Sequence, residues 1–597
     1  MTRSSFDLSE KKANVKATWA RARAWLANER NTYWILAAIL VVGAFFRLTH
    51  LNWDQGTHIH PDERFLTMVE SALQLPKTLG EFFDSTKSPM NPYNRDFGLF
   101  VYGTLPIFIV RIVAEFAQNL NQALHIWTVT GSSALLTMNG YDAVHLVGRA
   151  LSGLFDLAVV PLLFLVGGRL YGRRVGLVAA ALYAFAVLPL QQSHFFTVDT
   201  FATFFAVLTF YFAVRVAQGG EPGRHGGGWL NYLALGASLG ASLASRINLA
   251  PMAGIALLAA GIRAWDDWRN GRRGAVAQTS NGTRDFAWLS VLLQATLFRL
   301  LLMLLVAFVV FRVGQPYAFG GRTLLDLSLS AKWQGNMQFI SQLIAGDADQ
   351  PPAHQWAQRT PFVFPWVNIV VWGMGLPLGL AAWAGWALAL WQIVRGLTQV
   401  GKATQARVQQ GAALFSPVDR APLDSPAIDR REGPRDPIAG RQQGAAGDES
   451  PGYRAAPPVG GLDDHDVAGL PRHPVTLSPR HPVTLSPRHL VTLSPSAWRN
   501  HLLPVIWIGG MFLYHSIQFS YSMRYYLPIY PFLAMMGAWV LWRLVEKAEG
   551  WRREAGDWRS GDGGWRLRDG GWRLEVGGWR LEVGRWRSEV GGLTFHV

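Results

Sequence analysis

The stretch VGRALSGLFDLAVVPLLFLVGGRLYGRRVGLVAAALYAFAVLPLQQSHFFTVDTFATFF, residues 147–205, decides the fold class. It contains three apolar runs, 150–168, 175–192 and 200–214, which are separated by a short Arg-rich loop and by a short polar segment. Each run approaches or reaches the ~17–25 residues with which a helix crosses a bilayer. Three such runs in succession predict membrane-spanning helices that are joined by tight turns.

The rest of the chain extends this pattern to about ten spans. The seven further apolar runs are 33–46, 229–245, 247–262, 286–311, 360–394, 501–521 and 525–542. We interpret 360–394 as one long helix, and a break near Gly373–Pro377 would make it two. Half of the 597 residues are hydrophobic and 16% are charged, whereas about 25% are charged in a typical soluble protein. The sequence therefore predicts an all-α polytopic membrane protein with about ten or more transmembrane helices.

The distribution of Lys and Arg predicts the orientation. The net charge of +15 is interpreted as cytoplasmic loop charge and not as a nucleic-acid surface. With the basic segment 1–30 inside, the loop 47–149 lies outside, and the Arg-rich loops 169–174 and 261–274 lie inside. The apolar stretch 99–110 is then an interfacial helix of the outer loop. A multi-pass protein of the plasma (inner) membrane follows.

Composition divides the chain into five segments. A basic N-terminus covers 1–30, and the main transmembrane region with its helical outer loops covers 31–395. Residues 396–500 are a low-complexity insert with three tandem copies of a PRHPVTLS-like unit, and 501–545 hold the final membrane helices. In the tail, 546–597, Trp-Arg recurs every seven residues. We expect the insert and the tail to be disordered. With no cysteine, disulfides and thiolate metal sites are excluded.

The first outer loop carries the densest polar cluster, WDQGTHIHPDER at 53–64. Adjacent carboxylates such as Asp62 and Glu63 can act as a general base or bind a divalent ion. They also suit the solvated first turn of a helix after Pro61. His58 and His60 could bind a metal ion with Asp62, although this spacing alone is a weak signal.

Further polar residues lie on the same predicted side of the membrane. Each of them alone could be a helix-end anchor, but together they place carboxylates opposite isolated arginines, which suits an anionic head group. Asp156 lies inside a span, and we expect it to pair with Arg149 two turns earlier. The outer-side residues are Asp54, His194, Asp199, Arg246, Gln355, Arg524 and Tyr525.

These motifs resemble the GT-C glycosyltransferases, and most closely the bacterial branch similar to protein O-mannosyltransferases and aminoarabinose transferases. The resemblance is carried by HPDERFL (60–66), NPYNRDFGLFVYGTLP (91–106), MRYYLPIYPFLA (523–534) and above all by 147–205. It covers roughly 31–395 and 501–545. The insert and the tail depart from the family pattern.

The resemblance implies an inverting transferase that takes a sugar from a polyprenyl phosphate at the extracytoplasmic face. Carried over by position, Asp62 is the catalytic aspartate with Glu63 beside it, and Arg246 and Arg524 contact the donor phosphate. No cofactor is predicted. Metal dependence stays open, because His-Pro precedes Asp-Glu where many relatives have an aromatic or small residue. The residues expected to shape the sugar and acceptor site are His194, Asp199, Asp54, Gln355 and Tyr525.

Three functions stay open at this point. The first is the transferase, whose partners would be the lipid-linked sugar, membrane lipids and an acceptor protein, glycan or lipid, with no nucleic acid. The second is a transporter or flippase for a lipid-linked sugar, but such proteins place polar groups near the bilayer midplane and often carry internal repeats. The third is a non-catalytic membrane scaffold, which would leave the Asp-Glu loop without a role.

Overall fold

The computed structural model describes residues 29–129, 132–219, 228–278, 287–348, 351–414, 497–560, 566–568, 571–576 and 579–583. Its α-helices are α1 (Glu29–Leu48), α2 (Pro61–Ala72), α3 (Leu79–Phe83), α4 (Thr104–Leu124), α5 (Val144–Tyr171), α6 (Arg173–Ala184), α7 (Val187–Ser193), α8 (Asp199–Gln218), α9 (Gly228–Ser245), α10 (Met252–Gln278), α11 (Ala287–Gly314), α12 (Ala331–Ala345), α13 (Pro351–His354), α14 (Val363–Val367), α15 (Leu376–Leu414), α16 (Leu502–Ser516) and α17 (Tyr530–Ser560). Short 3₁₀ or π turns cover Pro92–Asn94, Ile247–Leu249, Pro316–Ala318, Asn368–Gly373, Ala497–His501 and Met523–Ile529.

Helices occupy all ten predicted membrane positions. Seven helices in the described residues are long and apolar enough to cross a membrane, or eight if the bent pair α6–α7 is one span. The other two positions form α9 and α16. The predicted all-α fold of the membrane region is therefore confirmed, and the chain is a multi-pass membrane protein.

The run at 360–394 is broken, so its interpretation as one continuous helix is wrong. Helix α14 passes into a π turn that ends at Gly373, and α15 begins only at Leu376. Gly375 has a φ of +81°, a left-handed conformation that glycine adopts without steric cost. Pro377 then stands in the first turn of α15, where its missing N–H is tolerated.

Residues 400–493 form a unit separate from the rest of the chain. Within that unit the structure describes 400–414 as the end of α15, so a helix occupies the start of the segment that composition predicted to be disordered; 415–496 lie outside the described residues.

The C-terminal tail also holds regular structure where composition predicted disorder. Helix α17 continues to Ser560, and three short strands follow it. Strands β1 (Arg566–Arg568), β2 (Gly571–Val576) and β3 (Trp579–Val583) pair antiparallel in that order. In the repeated Trp-Arg-Leu-Glu-Val, apolar and polar residues alternate, which is the pattern of a β-strand. This pattern favours strands, whereas the glycines between the repeats favour a disordered chain.

Contacts between connecting segments define two ends of the helical region. At one end, which we call the loop end, the Ser85 hydroxyl donates to the Gly320 carbonyl at 2.7 Å, and the Phe519 N–H donates to the Ile344 carbonyl at 2.9 Å. At the opposite end, Arg499 pairs with Asp266 at 2.9 Å. Segments predicted to share one side of the membrane thus contact one another.

The loop 47–149, which the sequence predicts to lie outside, contributes to a second hydrophobic core. Helices α2 and α4 bury Leu66, Val69, Ile107 and Val110 in it, next to the start of α5. Helix α4, which contains part of the apolar stretch 99–110, is not among the seven helices suited to cross a membrane. The larger core joins the membrane helices α5 to α11 and α15 to α17.

Asp156 does not pair with Arg149, so that prediction is wrong. Its carboxylate accepts from Arg47 Nε at 2.7 Å and from the Tyr183 hydroxyl at 2.5 Å, all within the buried core. An intramembrane carboxylate needs such a partner, but the partner comes from α1. Arg149 pairs instead with Asp54 and Glu63.

Candidate active site

Asp62 stands in the first turn of α2, at the loop end. Pro61 opens the helix, and the His60 ring Nδ1 caps it by accepting from the Glu63 N–H at 3.3 Å. Burial lowers the pKa of His60, and the charge of Arg524 lowers it further; both effects favour the neutral ring, which can accept this bond. The positive end of the helix dipole favours a carboxylate at Asp62.

Two groups hold the Asp62 carboxylate. The Tyr102 hydroxyl donates to Oδ1 at 2.7 Å, and the Arg524 guanidinium is in direct contact with Oδ2. Burial raises the pKa of Tyr102 to about 12, so this phenol keeps its proton and remains a donor. Gly103 allows the close approach behind Tyr102, since a Cβ there would lie 2.2 Å from the Ala244 carbonyl oxygen at the end of α9.

Glu63 faces away from Asp62 into a fully buried cluster. Arg149 donates to its two oxygens at 2.6 and 2.8 Å and to both oxygens of Asp54 at 2.9 Å. The Phe196 N–H donates to Glu63 at 2.9 Å as well. Burial raises the pKa of Asp54, but hydrogen bonding to Arg149 and its charge outweigh this and lower it to about 2. Asp54 and Glu63 thus tie the loop to α5.

A second ion pair lies beside the Asp62–Arg524 pair. Arg246, just after α9, contacts Asp199 at the first position of α8. The Tyr525 ring joins the two pairs, because the guanidinium carbons of Arg246 and Arg524 lie 4.7 and 5.7 Å from its centroid. The structure thus brings five predicted residues into one continuous array. We call this array, Asp62–Arg524–Tyr525–Arg246–Asp199, the charged array.

Two cavities of about 480 and 360 Å³ meet at the charged array. Asp62, Arg524, Gln355, Trp356 and Ser522 line both of them, so the Asp62–Arg524 pair stands at their boundary. The first cavity adds mostly polar and aromatic side chains: His60, Gln191, Gln192, Asn368, Trp372 and Tyr530. The second cavity adds Arg246, Tyr102, Asn248 and Tyr525 and an apolar wall of Leu99, Val101, Val198, Ile247, Met337, Phe339, Ile340, Leu343 and Ile344.

The predicted histidines have separate places. His194 holds α7 to the end of α1, with Nδ1 2.9 Å from the Leu190 carbonyl and Nε2 3.3 Å from the Thr49 carbonyl. The buried His58 ring packs 4.4 Å from that of His145. In the part of the chain that the structure describes, no three His, Asp or Glu side chains form a group that could hold a metal ion.

Several residues of the cavities were not assigned a role from the sequence. Tyr102 lies in the quoted motif 91–106, but nothing in its spacing indicates that it reaches Asp62 forty residues earlier. Gln191 and Gln192 end the apolar run 175–192, and two adjacent amides at that point were a usable signal. Asn368 and Trp372 face the first cavity from the π turn, which apolar periodicity does not indicate.

Comparison with known proteins gives one family match. Residues 124–271 match the family model of dolichyl-phosphate-mannose-protein mannosyltransferase. This region includes α5 to α9 with Arg149, His194, Asp199 and Arg246, and it overlaps the deciding stretch 147–205. No curated protein matches the chain.

Solved structures show weak similarity at low identity. The oligosaccharyltransferase of Archaeoglobus fulgidus is 14% identical, with a TM-score of 0.40, over 90% of this chain and 53% of that one. A structure of the archaeal oligosaccharyltransferase AglB from Archaeoglobus fulgidus, in complex with an inhibitory peptide and a dolichol-phosphate, is 12% identical. Its TM-score is 0.40, over 91% of this chain and 53% of that one. ArnT from Cupriavidus metallidurans is 13% identical, with a TM-score of 0.35, over 83% and 60%.

This chain therefore spans between half and two thirds of the length of these solved structures. The family-model match confirms, over residues 124–271, the predicted resemblance to the protein O-mannosyltransferase branch of the GT-C glycosyltransferases.

Proposed function

We propose that the protein is an inverting glycosyltransferase that moves a sugar from a polyprenyl phosphate to an acceptor hydroxyl at the extracytoplasmic membrane face. The observation that carries the proposal is the contact of Asp62 with Arg524 at the boundary of a polar and a largely apolar cavity. A carboxylate and a guanidinium so placed can serve the two sides of one displacement reaction. The family match supports the reaction class.

The second cavity suits the donor. Its apolar wall, to which α12 contributes most, can pack against a prenyl chain, while Arg246 and Arg524 face the same space and can neutralise a phosphate. Guanidinium groups match phosphate oxygens in geometry and stay charged. Their charge stabilises the phosphate that leaves when the glycosidic bond breaks.

The first cavity suits the acceptor. Its amides, Gln191, Gln192, Gln355 and Asn368, offer both donors and acceptors to hydroxyl groups, and Asp62 reaches it from the edge. A base must lie within ~3 Å of the proton that it takes. In the transfer, the acceptor oxygen forms a bond to the anomeric carbon, and the bond between that carbon and the phosphate oxygen of the donor breaks on the opposite side. The proton of the acceptor hydroxyl passes to Asp62. Inversion follows from this single displacement.

Asp62 must leave its ion pair before it can act. As long as Arg524 is paired with Asp62, an acceptor hydroxyl must compete with the Arg524 guanidinium for Asp62 Oδ2. A donor phosphate supplies a replacement anion for Arg524 and, beside it, for Arg246. We therefore propose that the donor phosphate, when it binds, replaces Asp62 as the partner of Arg524 and Asp199 as the partner of Arg246. Asp62 then keeps only its hydrogen bond from Tyr102. The acceptor then reacts only after the donor has bound.

Glu63 and Asp54 are not part of the proposed chemistry. Their carboxylates are saturated by Arg149 in the core, so we revise their predicted roles to positioning α2. His194 likewise has a positioning role, because it holds α7 to the end of α1 and does not line either cavity.

The test uses the full chain in lipid vesicles with a panel of radiolabelled polyprenyl-phosphate sugars and acceptors. We expect label to leave one donor with the wild type and not with Asp62→Asn. The matched control is Asp96→Asn, an exposed aspartate of the same loop whose positive φ an asparagine tolerates. Transfer by Asp62→Asn at the wild-type rate would overturn the assignment. Movement of an intact lipid-linked sugar between leaflets, without transfer, would favour a flippase.

A further inference from the structure

The segment GGRTLLDLSLS, residues 320–330, displays its leucines outward at the loop end. We call it the leucine loop. The side chains of Leu324, Leu325, Leu327 and Leu329 are 43%, 86%, 50% and 53% exposed. Leu325 is the most exposed of the large apolar residues for which the structure describes burial. Contiguous exposed apolar surface of this kind marks an interaction site more often than a water-facing surface.

The leucine loop is closed by its own hydrogen bonds. Gly320 N–H donates to the Ser328 carbonyl at 2.7 Å, and Ser330 N–H donates to the Ala318 carbonyl at 2.9 Å. The Asp326 carboxylate accepts from the Ser328 N–H at 3.1 Å and from its hydroxyl at 2.7 Å. These bonds satisfy part of the loop's polar backbone, which lowers the cost of contact with lipid, and they hold the leucines in their outward positions.

Arg312 ties the leucine loop to the end of a membrane helix. Its guanidinium donates to the carbonyls of Thr323 at 2.8 Å and Leu324 at 3.2 Å, and it stacks 4.7 Å from the Phe319 ring. Arg312 lies in the last turn of α11, within the candidate span Leu293–Gly314. The loop therefore lies at the depth at which this helix leaves the membrane.

The exposed leucines continue the apolar outer surface of that span. Large exposed side chains follow one another along α11: Leu293, Leu297, Phe298, Leu301, Leu304, Leu305, Phe308, Val309 and Val313. Because α11 crosses the bilayer, these side chains face acyl chains. Helix α3, which carries the 78% exposed Leu79, lies next to the leucine loop. Ser85, just after α3, donates from its N–H to the Gly321 carbonyl at 3.0 Å.

We propose that the leucine loop inserts its leucines into the acyl-chain border of the bilayer at the loop end. Arg322 and Asp326, both exposed on the same loop, limit the insertion to the head-group boundary, the depth at which amphipathic segments bind. Helix α12, which follows directly and lines the second cavity, is thereby anchored at the membrane surface. This proposal holds for any activity of the site.

The absence of cysteine allows a direct test. Leu325→Cys, labelled with an NBD maleimide, is reconstituted as the full chain into phosphatidylethanolamine–phosphatidylglycerol vesicles that carry doxyl lipids. We expect blue-shifted emission and at least twofold stronger quenching by doxyl groups near the head group than at the chain end. Lys87→Cys, on an exposed turn of the first outer loop, is the control and should show water-like, weakly quenched emission.

A second position, Leu327→Cys, guards against a local effect of one substitution. Both labelled variants must remain monodisperse and unfold at the temperature of the wild type. Water-like emission and weak quenching at both positions, equal to Lys87→Cys, would overturn the proposal. That result would mean that the leucines face a water-soluble partner or water instead of lipid.

Discussion

Two arginine–carboxylate sets meet on neighbouring residues of one helix turn, and they differ in almost every physical respect. Asp62 pairs with Arg524 at the boundary of two cavities, and both side chains are partly exposed. Glu63 pairs with Arg149 in the core, where neither side chain contacts solvent. Successive residues of an α-helix point about 100° apart, so one carboxylate faces the site and the other faces the protein. The two carboxylates share charge and motif, and burial separates the chemical role that we propose for Asp62 from the structural role of Glu63.

The largest expected effect breaks the buried set. Arg149→Met leaves Asp54 and Glu63 as unpaired buried charges, and we expect it to lower the free energy of unfolding by about 3–5 kcal/mol. Arg524→Met leaves Asp62 beside open cavities, so it should change stability by less than about 1 kcal/mol. Thermal unfolding in detergent, followed by intrinsic fluorescence, compares the two. Equal losses would contradict the distinction between the sets.

The next effect concerns ligand binding at the exposed set. Asp62→Asn removes the carboxylate that competes for Arg524, so we expect it to bind polyprenyl phosphate about 10-fold more tightly while transfer falls by ~10²–10⁴. Asp199→Asn should tighten binding in the same direction through Arg246. Binding is measured by displacement of a labelled prenyl phosphate. Unchanged or weaker binding in both variants would reject the proposed exchange of phosphate for carboxylate.

A smaller effect separates the sets by pH. The pKa of Asp54 is lowered to about 2 in the folded protein, against about 3.9 in an unfolded chain. Its contribution is therefore fully present above pH ~4 and is lost as the pH falls towards 2, on the order of 2 kcal/mol. The stability difference between wild type and Asp54→Asn should shrink over that window. The same difference for Asp96→Asn should stay flat, and a shrinking one would point to a global acid effect.

The sequence predicted the membrane helices and the residues of the charged array, but not their partners. The length of an apolar run can be compared directly with the thickness of a bilayer, so the positions of the ten membrane segments could be predicted from the sequence. Pairing depends on how helices far apart in the chain pack. Arg149 and Asp156 share a helix face at a spacing of seven, yet each finds a better-placed partner on another element. Asp62 and Glu63 are adjacent carboxylates in the sequence, and only the orientation of α2 determines which of them faces the cavities and which faces the core.

The last effect extends the comparison along the same helix. Glu70 lies seven residues after Glu63, on the same face of α2, but its buried carboxyl oxygens lack a hydrogen-bond partner in the described structure. Burial raises its pKa well above the usual value, which the charge of Arg111 only partly offsets. The folded state therefore holds this proton more tightly than the unfolded state, and stability falls as the pH rises above about 4.5. Glu70→Gln, which carries no charge, should be as stable as wild type near pH 4 and more stable at pH 8. If the difference in unfolding temperature between Glu70→Gln and the wild type did not depend on pH, the Glu70 charge would be neutralised by a partner, as that of Glu63 is by Arg149.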